Sequence, residues 1–389
     1  MKTSWFERHP KLTIGAVLAL LLVILTGLTE VLLRWRQPAF HPGMQRYIRL
    51  REYGPFFSQY IIPPAAELAL ADNLEAKPYL LRVDADGFIM PSRVHAQPDL
   101  TLVFLGGSST ACAFMGEEER FPYLVGRLLE EATGKKVNSH NSGVGGNNSL
   151  HSLNILLNKV IPLKPDIVFM CHNINDLTIL LLEGSYWSDN PSRSQLVTVA
   201  PSVGRSLREL RDLLIPQVTQ AVEQFRQAVK QRLRRPRTGQ PDEFARVRGR
   251  QLQYDEGQMR AAFRRNLELF VMLCRRYHME PVLLTQAHRL KEQPDPVIAS
   301  SLQDLARQGI SYAAYRRLFL SFNEEIRAVG REQGVLVVDL AAAIPLEREY
   351  LYDIVHFTPQ GSRRAAEVIG RALQEQGCLG RGQEGRVRQ

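Results

Sequence analysis

Five short segments, four of them apolar or β-branched, are each followed by a stretch of helical character, and this pattern constrains the fold of the chain more than any other feature. They lie at residues 101–105, 136–140, 166–171, 281–285 and 335–339. This alternation is typical of βαβ units, in which parallel strands form a central sheet and helices cover both faces. We therefore predict a three-layer α/β/α domain with a five-stranded parallel sheet.

The last predicted helix is delimited at both ends. Thr358 can cap its first turn, Pro359 follows, and Gly377 lies beyond its last apolar residues. Residues 379–389 are then a flexible tail. About 110 residues separate the third and fourth strands, whereas a whole βαβ unit needs only about 30. We interpret residues 186–255 as an insertion.

The insertion contains a cluster of basic residues beside apolar ones. A solvated helix face is one interpretation, and a lid or collar that touches anionic lipid or an acidic polymer is the other. The basic residues are Arg226, Lys230, Arg232, Arg234, Arg235 and Arg237, and the apolar residues are Val222, Phe225, Val229 and Leu233.

The N-terminal region contains an uncharged, mostly apolar run of 18 residues, 12–29, which residues 31–33 extend past Glu30. A helix of this length spans the hydrocarbon core of a bilayer. A cleaved signal peptide has a shorter apolar region and a small-x-small cleavage site, which this chain lacks here. A buried core helix is disfavoured because the run has no polar face. We predict a single-pass anchor at residues 12–33, after a short tail at residues 1–11.

Basic residues flank both ends of this apolar run, so the positive-inside rule does not orient it. The next segment, residues 34–97, contains seven prolines with aromatic residues between them. This composition favours extended, packed chain over long helices. We predict a juxtamembrane segment at residues 34–97 that lifts the main domain, residues 98–378, off the bilayer.

Charge and cysteine usage exclude several function classes. The formal net charge of +9 is spread among many acidic residues, and no zinc-finger, RNA-binding or basic-zipper motif is present, so we expect no nucleic-acid partner. The four cysteines include no CxxC pair, which argues against a thiolate metal cluster and a thioredoxin-type redox pair. They are Cys112, Cys171, Cys274 and Cys378.

The first predicted strand runs into Gly106, Gly107 and Ser108, so a hydroxyl group lies where strand turns into helix. Glycines permit a tight turn there, and the free N–H groups of a helix N-terminus can stabilise a developing oxyanion. An ordinary N-cap is the alternative interpretation. The segment is not the GxSxG elbow of α/β-hydrolases.

Two further polar segments follow the second and third strands. Residues 141–149 contain three glycines, but they lack the GxGxxG spacing of a dinucleotide site. Asn175 follows the third strand and can donate its side-chain amide to an anionic oxygen, while Asp176 can cap the next helix. The neighbouring His172 is interpreted as a structural residue.

The fourth segment, Asp353-Ile354-Val355-His356, precedes the final helix. A carboxylate three residues before an imidazole can accept the Nδ1 proton and leave Nε2 free as a general base. His288, after the fourth strand, is a competing site histidine. No second histidine or carboxylate cluster supports a metal.

All these segments lie at or just beyond the carboxyl ends of predicted parallel strands, where open α/β sheets bind ligands. In a 2-1-3-4-5 strand order, the first and third strands are neighbours, so Ser108 and Asn175 would face one crevice. In this order and spacing, the segments resemble the four motif blocks of the SGNH or GDSL hydrolase superfamily, over roughly residues 98–376.

The resemblance implies a flavodoxin-like sheet order and a role for each matched residue. Ser108 would be the nucleophile, and Asp353 with His356 would complete the catalytic triad. The backbone N–H groups of Ser108 and Gly146 and the side-chain amide of Asn175 would form the oxyanion hole. The chain departs from the GDSL form at two positions outside the triad, Gly107 in place of aspartate and Asn173 in place of a frequent glycine.

The resemblance also implies a function, which is acyl transfer through an acyl-serine without a metal or organic cofactor. An esterase would pass the acyl group, for example acetyl from a carbohydrate or cell-envelope ester, to water. A polysaccharide O-acetyltransferase would pass it to a sugar hydroxyl, and the sequence leaves both open. A non-catalytic, membrane-tethered binding module is a third alternative, although no triad residue is missing. The catalytic domain would lie outside the cytoplasm, which is the periplasm in a bacterium.

Overall fold

The computed structural model describes residues 8–36, 48–188, 190, 193–198, 202–215, 217–219, 221–222 and 247–376. The chain divides into two compact units. The first comprises Met1–Arg49 with Thr198–Arg235, and the second comprises Leu50–Val197 with Pro236–Gln389. The predicted tail at residues 379–389 and, apart from Val222, the basic cluster of the insertion lie outside the described residues.

In the first unit, the N-terminal apolar run forms one helix, Pro10–Arg36. Within its stretch Pro10–Leu33, the most apolar 18-residue window has a mean hydropathy of 2.5, and the apolar side chains are largely exposed. The hydroxyls of Thr26 and Thr29 donate to carbonyls one turn earlier, at 2.7 and 2.8 Å, so they need no partner outside the helix. The helix is long and apolar enough to cross a membrane, as an anchor or as a signal sequence.

The strands, in chain order, are β1 (Ile48–Leu50), β2 (Ser58–Ile61), β3 (Tyr79–Arg82), β4 (Leu100–Gly106), β5 (Val137–Gly143), β6 (Ile167–Cys171), β7 (Leu196–Thr198), β8 (Glu280–Leu284) and β9 (Leu336–Val338). The central sheet has the order β5-β4-β6-β8-β9, and every neighbouring pair is parallel. This confirms the predicted five-stranded parallel sheet and its 2-1-3-4-5 order.

The second sheet strand, β5, differs from its prediction because it continues to Gly143 instead of ending at residue 140. The continuation pairs Asn141, Ser142 and Gly143 with the end of β4. The Asn141 side chain has partners at both ends, since it donates to Thr110 O at 2.9 Å and accepts from Gly143 N at 2.9 Å. A side chain at Gly143 would overlap the backbone of the Ser108 helix, so only glycine fits there.

Helices cover both faces of this sheet. Along β6, Val168 and Met170 face one core, whereas Ile167 and Phe169 face the other, as the two-residue period of a strand requires. The helices of the second unit are Ala65–Leu68, Ser108–Ala111, Phe121–Thr133, Ser149–Ile155, Ile161–Leu163, Ile174–Glu183, Glu256–Arg276, Pro296–Ser301, Gln303–Arg307, Tyr312–Gln333, Leu340–Ala343 and Pro359–Glu375, with a 3-10 turn at Glu117–Glu119 and a π turn at Leu156–Val160. The first unit adds Val203–Leu214.

The final helix, Pro359–Glu375, has the predicted cap, since Thr358 Oγ1 accepts a hydrogen bond from Gly361 N at 3.1 Å. The close approach of this helix to the preceding loop requires glycine at residue 361, because a Cβ there would overlap the carbonyl of Tyr350. The capped helix therefore fixes the loop that carries Asp353 and His356.

The Pro-rich segment from Leu50 onward belongs to the same compact unit as the sheet. β2 and β3 form an antiparallel pair, and the buried Arg120 ties this region to the domain. Its guanidinium donates to Met90 O at 2.6 Å, Leu80 O at 2.8 Å and Cys112 O at 3.3 Å. Residues 50–97, expected to lift the domain off the bilayer, thus pack within the domain, while residues 37–47 lie outside the described part.

Arg120 should therefore contribute strongly to stability. We expect Arg120→Met to lower the free energy of unfolding by about 3 kcal/mol or more, because one buried and two partly buried carbonyls lose their donor. Denaturant unfolding of the full chain in detergent would measure this loss. Arg127→Met, on the same helix but half exposed and paired with Glu130, should cost less than about 1 kcal/mol. Equal losses for the two variants would contradict the role assigned to Arg120.

Candidate active site

The candidate nucleophile lies where β4 ends. Gly107 is extended, and Ser108 begins the short helix Ser108–Ala111. A Cβ on Gly106 would overlap the side chain of Thr110, and one on Gly107 would overlap the amide of Asn175. The two glycines therefore let the strand, the short helix and Asn175 approach more closely than larger residues would allow.

Ser108, His356 and Asp353 form a continuous chain of hydrogen bonds. Ser108 Oγ lies 2.7 Å from His356 Nε2, and His356 Nδ1 lies 2.6 Å from Asp353 Oδ2. A carboxylate only accepts, so Nδ1 carries the proton and Nε2 can accept the serine proton. Asp353 Oδ1 also accepts from the backbone N–H groups of Val355 and His356, at 2.9 and 2.8 Å. The carboxylate is thus held in place from two sides.

The electrostatics of these three hydrogen-bonded residues favour a charged Asp353 carboxylate. Burial acts to lower the pKa of His356, but the charge of Asp353 and their hydrogen bond outweigh it and raise that pKa above 6.5. Burial acts to raise the pKa of Asp353, but His356 and the backbone donors hold it below 3.8. The Tyr352 ring stacks on the His356 ring, with centroids 5.5 Å apart. Both triad side chains remain partly exposed, 26% for His356 and 24% for Asp353, so a substrate can reach them.

Contacts from distant parts of the chain hold the loop that carries Asp353 and His356. The buried Arg289 donates its backbone N–H to Ile354 O at 2.8 Å. Its guanidinium forms ion pairs with Asp72 at 2.6 Å and Asp295 at 2.7 Å. Asp72 also donates its backbone N–H to Tyr352 O at 2.7 Å. The Pro-rich segment therefore helps to position the histidine.

Asn175 lies next to Gly107, at the N-terminal turn of the helix Ile174–Glu183. Its amide nitrogen donates to Asn147 O at 2.7 Å, and its amide oxygen accepts from Arg193 Nη1 at 2.5 Å. Since a guanidinium only donates, this contact fixes which end of the amide faces Gly107. The side chain of Arg193 is buried, with 9% exposed.

Gly146 lies beside Asn147, in the loop after β5, with φ +78. This is a conformation that glycine adopts readily and other residues avoid. Arg51 braces the loop, donating to Gly145 O at 2.8 Å and to Asn147 Oδ1 at 3.0 Å. The structure thus brings Ser108, Asn175 and the Gly146 loop together at one end of the sheet.

Sequence reasoning missed Arg193 and Arg51, which hold Asn175 and its neighbouring loop. Arg193 lies 18 residues from Asn175 and Arg51 lies 94 residues from Gly145, and no motif marks either of them. It also missed Gln286, which accepts from Ile174 N at 2.8 Å and donates to Ser109 Oγ at 2.9 Å. The signal available in the sequence was only that Gln286 follows the fourth strand, as site residues do in such sheets.

Asp176 differs from its predicted role. Instead of capping its own helix, its carboxylate accepts from Ser149 N at 3.0 Å and Tyr186 Oη at 2.8 Å. His172 Nε2 lies 2.7 Å from Ser152 Oγ, and its Nδ1 lies 3.8 Å from Asp176. Burial lowers the pKa of His172 to about 3 and raises that of Asp176 to about 6. This second serine, histidine and aspartate are enclosed, which fits the structural role assigned to His172.

The competing candidates have other partners. His288 is buried against Phe319, its Nδ1 accepts from Leu290 N at 3.1 Å, and burial lowers its pKa to about 4. The hydroxyl of Ser109 is buried and bonded to Gln286. Burial raises the pKa of the Cys112 thiol to about 12, which suppresses the reactive thiolate.

No protein-family model and no curated protein matches the chain. Among solved structures, an acetylxylan esterase from Geobacillus stearothermophilus is 17% identical, with a TM-score of 0.41 over 71% of this chain and 94% of its own. An alpha/beta hydrolase enzyme from the metagenome of Lake Arreo, Spain, is 16% identical, with a TM-score of 0.39 over 72% and 97%. A GDSL-like lipase from Bacteroides thetaiotaomicron is 14% identical, with a TM-score of 0.37 over 71% and 88%.

These values are too low to carry an activity from those proteins to this chain. The sheet order and the position of Ser108 directly after β4 are observed in this structure and do not depend on those comparisons. The chain has a three-layer α/β/α fold with a parallel sheet of 2-1-3-4-5 order. Within that fold, the hydrogen-bonded Ser108, His356 and Asp353 lie at the carboxyl edge of the sheet, where β4, β5 and β6 end.

The geometry predicts how Ser108 reacts with a fluorophosphonate probe. His356 must be neutral to accept the serine proton, so the labelling rate should rise with pH through a midpoint above 6.5 and then level off. Asp353→Asn removes the charge that raises the histidine pKa, so the midpoint should move to lower pH and the plateau should fall by orders of magnitude. Gel-based labelling of the full chain across pH would measure both effects.

Ser108→Ala should abolish the labelling, whereas Ser109→Ala is the matched control and should leave the site reactive. Labelling that persists in Ser108→Ala would show that another residue is the nucleophile. A midpoint that does not respond to Asp353→Asn would show that this carboxylate does not act on His356.

Proposed function

We propose that this chain is a membrane-anchored serine hydrolase that cleaves or transfers an acyl ester through an acyl-serine intermediate. The observation that supports this most directly is the continuous hydrogen-bond chain from Asp353 through His356 to Ser108, partly open to solvent. An unassisted serine hydroxyl is a poor nucleophile at neutral pH, and a positioned imidazole base is what activates it.

The reaction follows from the hydrogen bonds. His356 Nε2 takes the Ser108 proton as Oγ attacks the ester carbonyl carbon, and a tetrahedral oxyanion forms. The intermediate collapses, the bond to the alcohol breaks, and His356 returns the proton to the departing alkoxide. A water or sugar hydroxyl then gives its proton to His356 and attacks the acyl carbon. The bond from that carbon to Ser108 Oγ breaks, His356 returns the proton to Oγ, and the carboxylic acid or the acylated sugar leaves. Asp353 stabilises the imidazolium in each half-reaction.

We assign the oxyanion hole to the backbone N–H groups of Ser108 and Gly146 and the side-chain amide of Asn175. The closeness of Asn175 to Gly107 and the glycine geometry of the Gly146 loop support this assignment. One such donor is worth roughly 3 kcal/mol of barrier in comparable sites. The donors stabilise the charge that forms on the ester oxygen as Ser108 attacks.

The substrate to test first is an acetyl ester of a carbohydrate, which the resemblance to SGNH enzymes favours. The exposed apolar helix Pro10–Arg36 supports the membrane anchor, and we propose that the catalytic domain lies outside the cytoplasm. Water as acceptor makes the chain an esterase, and a sugar hydroxyl makes it an O-acetyltransferase. The two functions share every residue of the site.

Incubating the full chain in nanodiscs with acetylated oligosaccharides and aryl acetates should give an acetylated Ser108 peptide in mass spectrometry. A second sample with an unacetylated oligosaccharide separates the two functions, because a transferase acetylates it and an esterase releases acetate only. His356→Ala should remove nearly all turnover. His288→Gln, which alters a buried histidine outside the triad, is the control. Turnover that depends equally on both histidines, with the fold intact, would contradict the proposal.

Arg193 should act as a positioning residue through Asn175. We expect Arg193→Met to lower kcat by about 10-fold to 100-fold with little change in KM, because the freed amide can rotate away from the oxyanion. In steady-state kinetics, Asn175→Ala combined with Arg193→Met should be no worse than Asn175→Ala alone. Additive losses would show that Arg193 does not work through this amide.

A further inference from the structure

The helix Val203–Leu214 in the first unit carries a stripe of exposed apolar side chains. Val203, Leu207, Leu210 and Leu214 are exposed by 80%, 61%, 51% and 63%. At about 100° per residue these four positions fall within an arc of about 60° on the helix. A stripe of this spacing normally packs against something, yet in the described part of the chain it is open.

The apolar helix Pro10–Arg36 belongs to the same unit as the helix Val203–Leu214. A hydrogen bond shows at which level of the apolar helix the two segments meet. Glu30 of the apolar helix is buried, with 4% exposed, and its carboxylate accepts from the backbone N–H of Val218 at 2.9 Å. Val218 is four residues beyond Leu214. The C-terminal end of Val203–Leu214, the amphipathic helix, is therefore held close to Glu30.

Glu30 is three residues before the end of the membrane-length stretch Pro10–Leu33. Three residues of helix correspond to about 4.5 Å, which places Glu30 near one boundary of the hydrocarbon core. A carboxylate is costly in the centre of a bilayer and tolerated near its surface. The hydrogen bond from Val218 thus holds the segment just after the helix Val203–Leu214 near the depth of the lipid headgroups.

We propose that Val203–Leu214 is an interfacial helix, whose apolar stripe is buried in the outer part of the same bilayer that the apolar helix spans. This rests on the proposed membrane anchor and adds a second contact. The helix sequence contains Arg205, Arg208 and Arg211 against Glu209 and Asp212, a net charge of +1, which suits a surface with anionic lipid.

A second copy of the chain is the other occupant that an apolar stripe can have. A stable protein interface buries roughly 800 Å² on each partner and involves about 20–30 residues a side. The stripe offers four residues on a helix of 12. Lipid, by contrast, is present wherever the apolar helix inserts, and an interfacial helix needs only one apolar face.

The test places a fluorophore on single cysteines of the full chain in phosphatidylcholine nanodiscs, with and without phosphatidylglycerol. The positions are Leu207→Cys and Leu214→Cys in the stripe, Asp212→Cys half a turn from the stripe, and Leu22→Cys within the apolar helix. The background carries Cys378→Ser, because the native cysteines Cys112, Cys171 and Cys274 are buried. Nitroxide-labelled lipid and aqueous iodide quench the fluorophore from the two phases.

We expect Leu207→Cys and Leu214→Cys to lose emission with nitroxide lipid and to resist iodide, as Leu22→Cys should. Asp212→Cys should show the reverse. If Leu207→Cys behaves like Asp212→Cys while Leu22→Cys is quenched by nitroxide lipid, the proposal of an interfacial helix is wrong, and the proposal of a membrane anchor is retained. If Leu22→Cys is also quenched by iodide, the proposal of a membrane anchor is wrong as well. Protection of labelled Leu207→Cys from both quenchers, with disulfide links between two chains in an unlabelled sample of the same variant, would assign the stripe to a second copy.

Discussion

The parallel pairing of β4 with β5 on one side and β6 on the other is the constraint on which the candidate site depends. Parallel strands end at the same edge, so the segments that follow β4, β5 and β6 are brought together there. Ser108, the Gly146 loop and Asn175 follow these three strands. Gly106, Gly107 and Gly143 keep the edge compact, because a Cβ at any of them would overlap a neighbouring segment.

Hydrogen-bond geometry alone does not distinguish the candidate nucleophile Ser108 from a buried structural serine in this fold. Ser152, His172 and Asp176 also line up, but burial lowers the histidine pKa to about 3 and raises the aspartate pKa to about 6. His356 beside Asp353 shows the opposite histidine shift and remains partly exposed. Access to solvent and a charged carboxylate at hydrogen-bonding distance separate the two arrangements.

Much of the fold could be predicted because its signals are local. Apolar runs set the strands to within three residues, and Thr358 capped the final helix as its chemistry indicates. The polar strand β5 ran beyond its predicted end, because the partners of its Asn138 and Asn141 side chains come from other segments. The Pro-rich region looked like a linker because the bonds that Arg120 makes to it are not visible in its composition.

The sequence by itself determined the order of the elements and the chemistry available after each strand, including Ser108, Asp353 and His356. Tertiary structure decided which histidine meets the serine, how Asn175 is oriented by Arg193, and which helix Asp176 serves. The reason is physical. Strand and cap signals depend on residues a few positions apart, whereas each of these outcomes depends on a contact between separate segments. The separation is 248 residues for Ser108 with His356, 18 for Asn175 with Arg193 and 27 for Asp176 with Ser149.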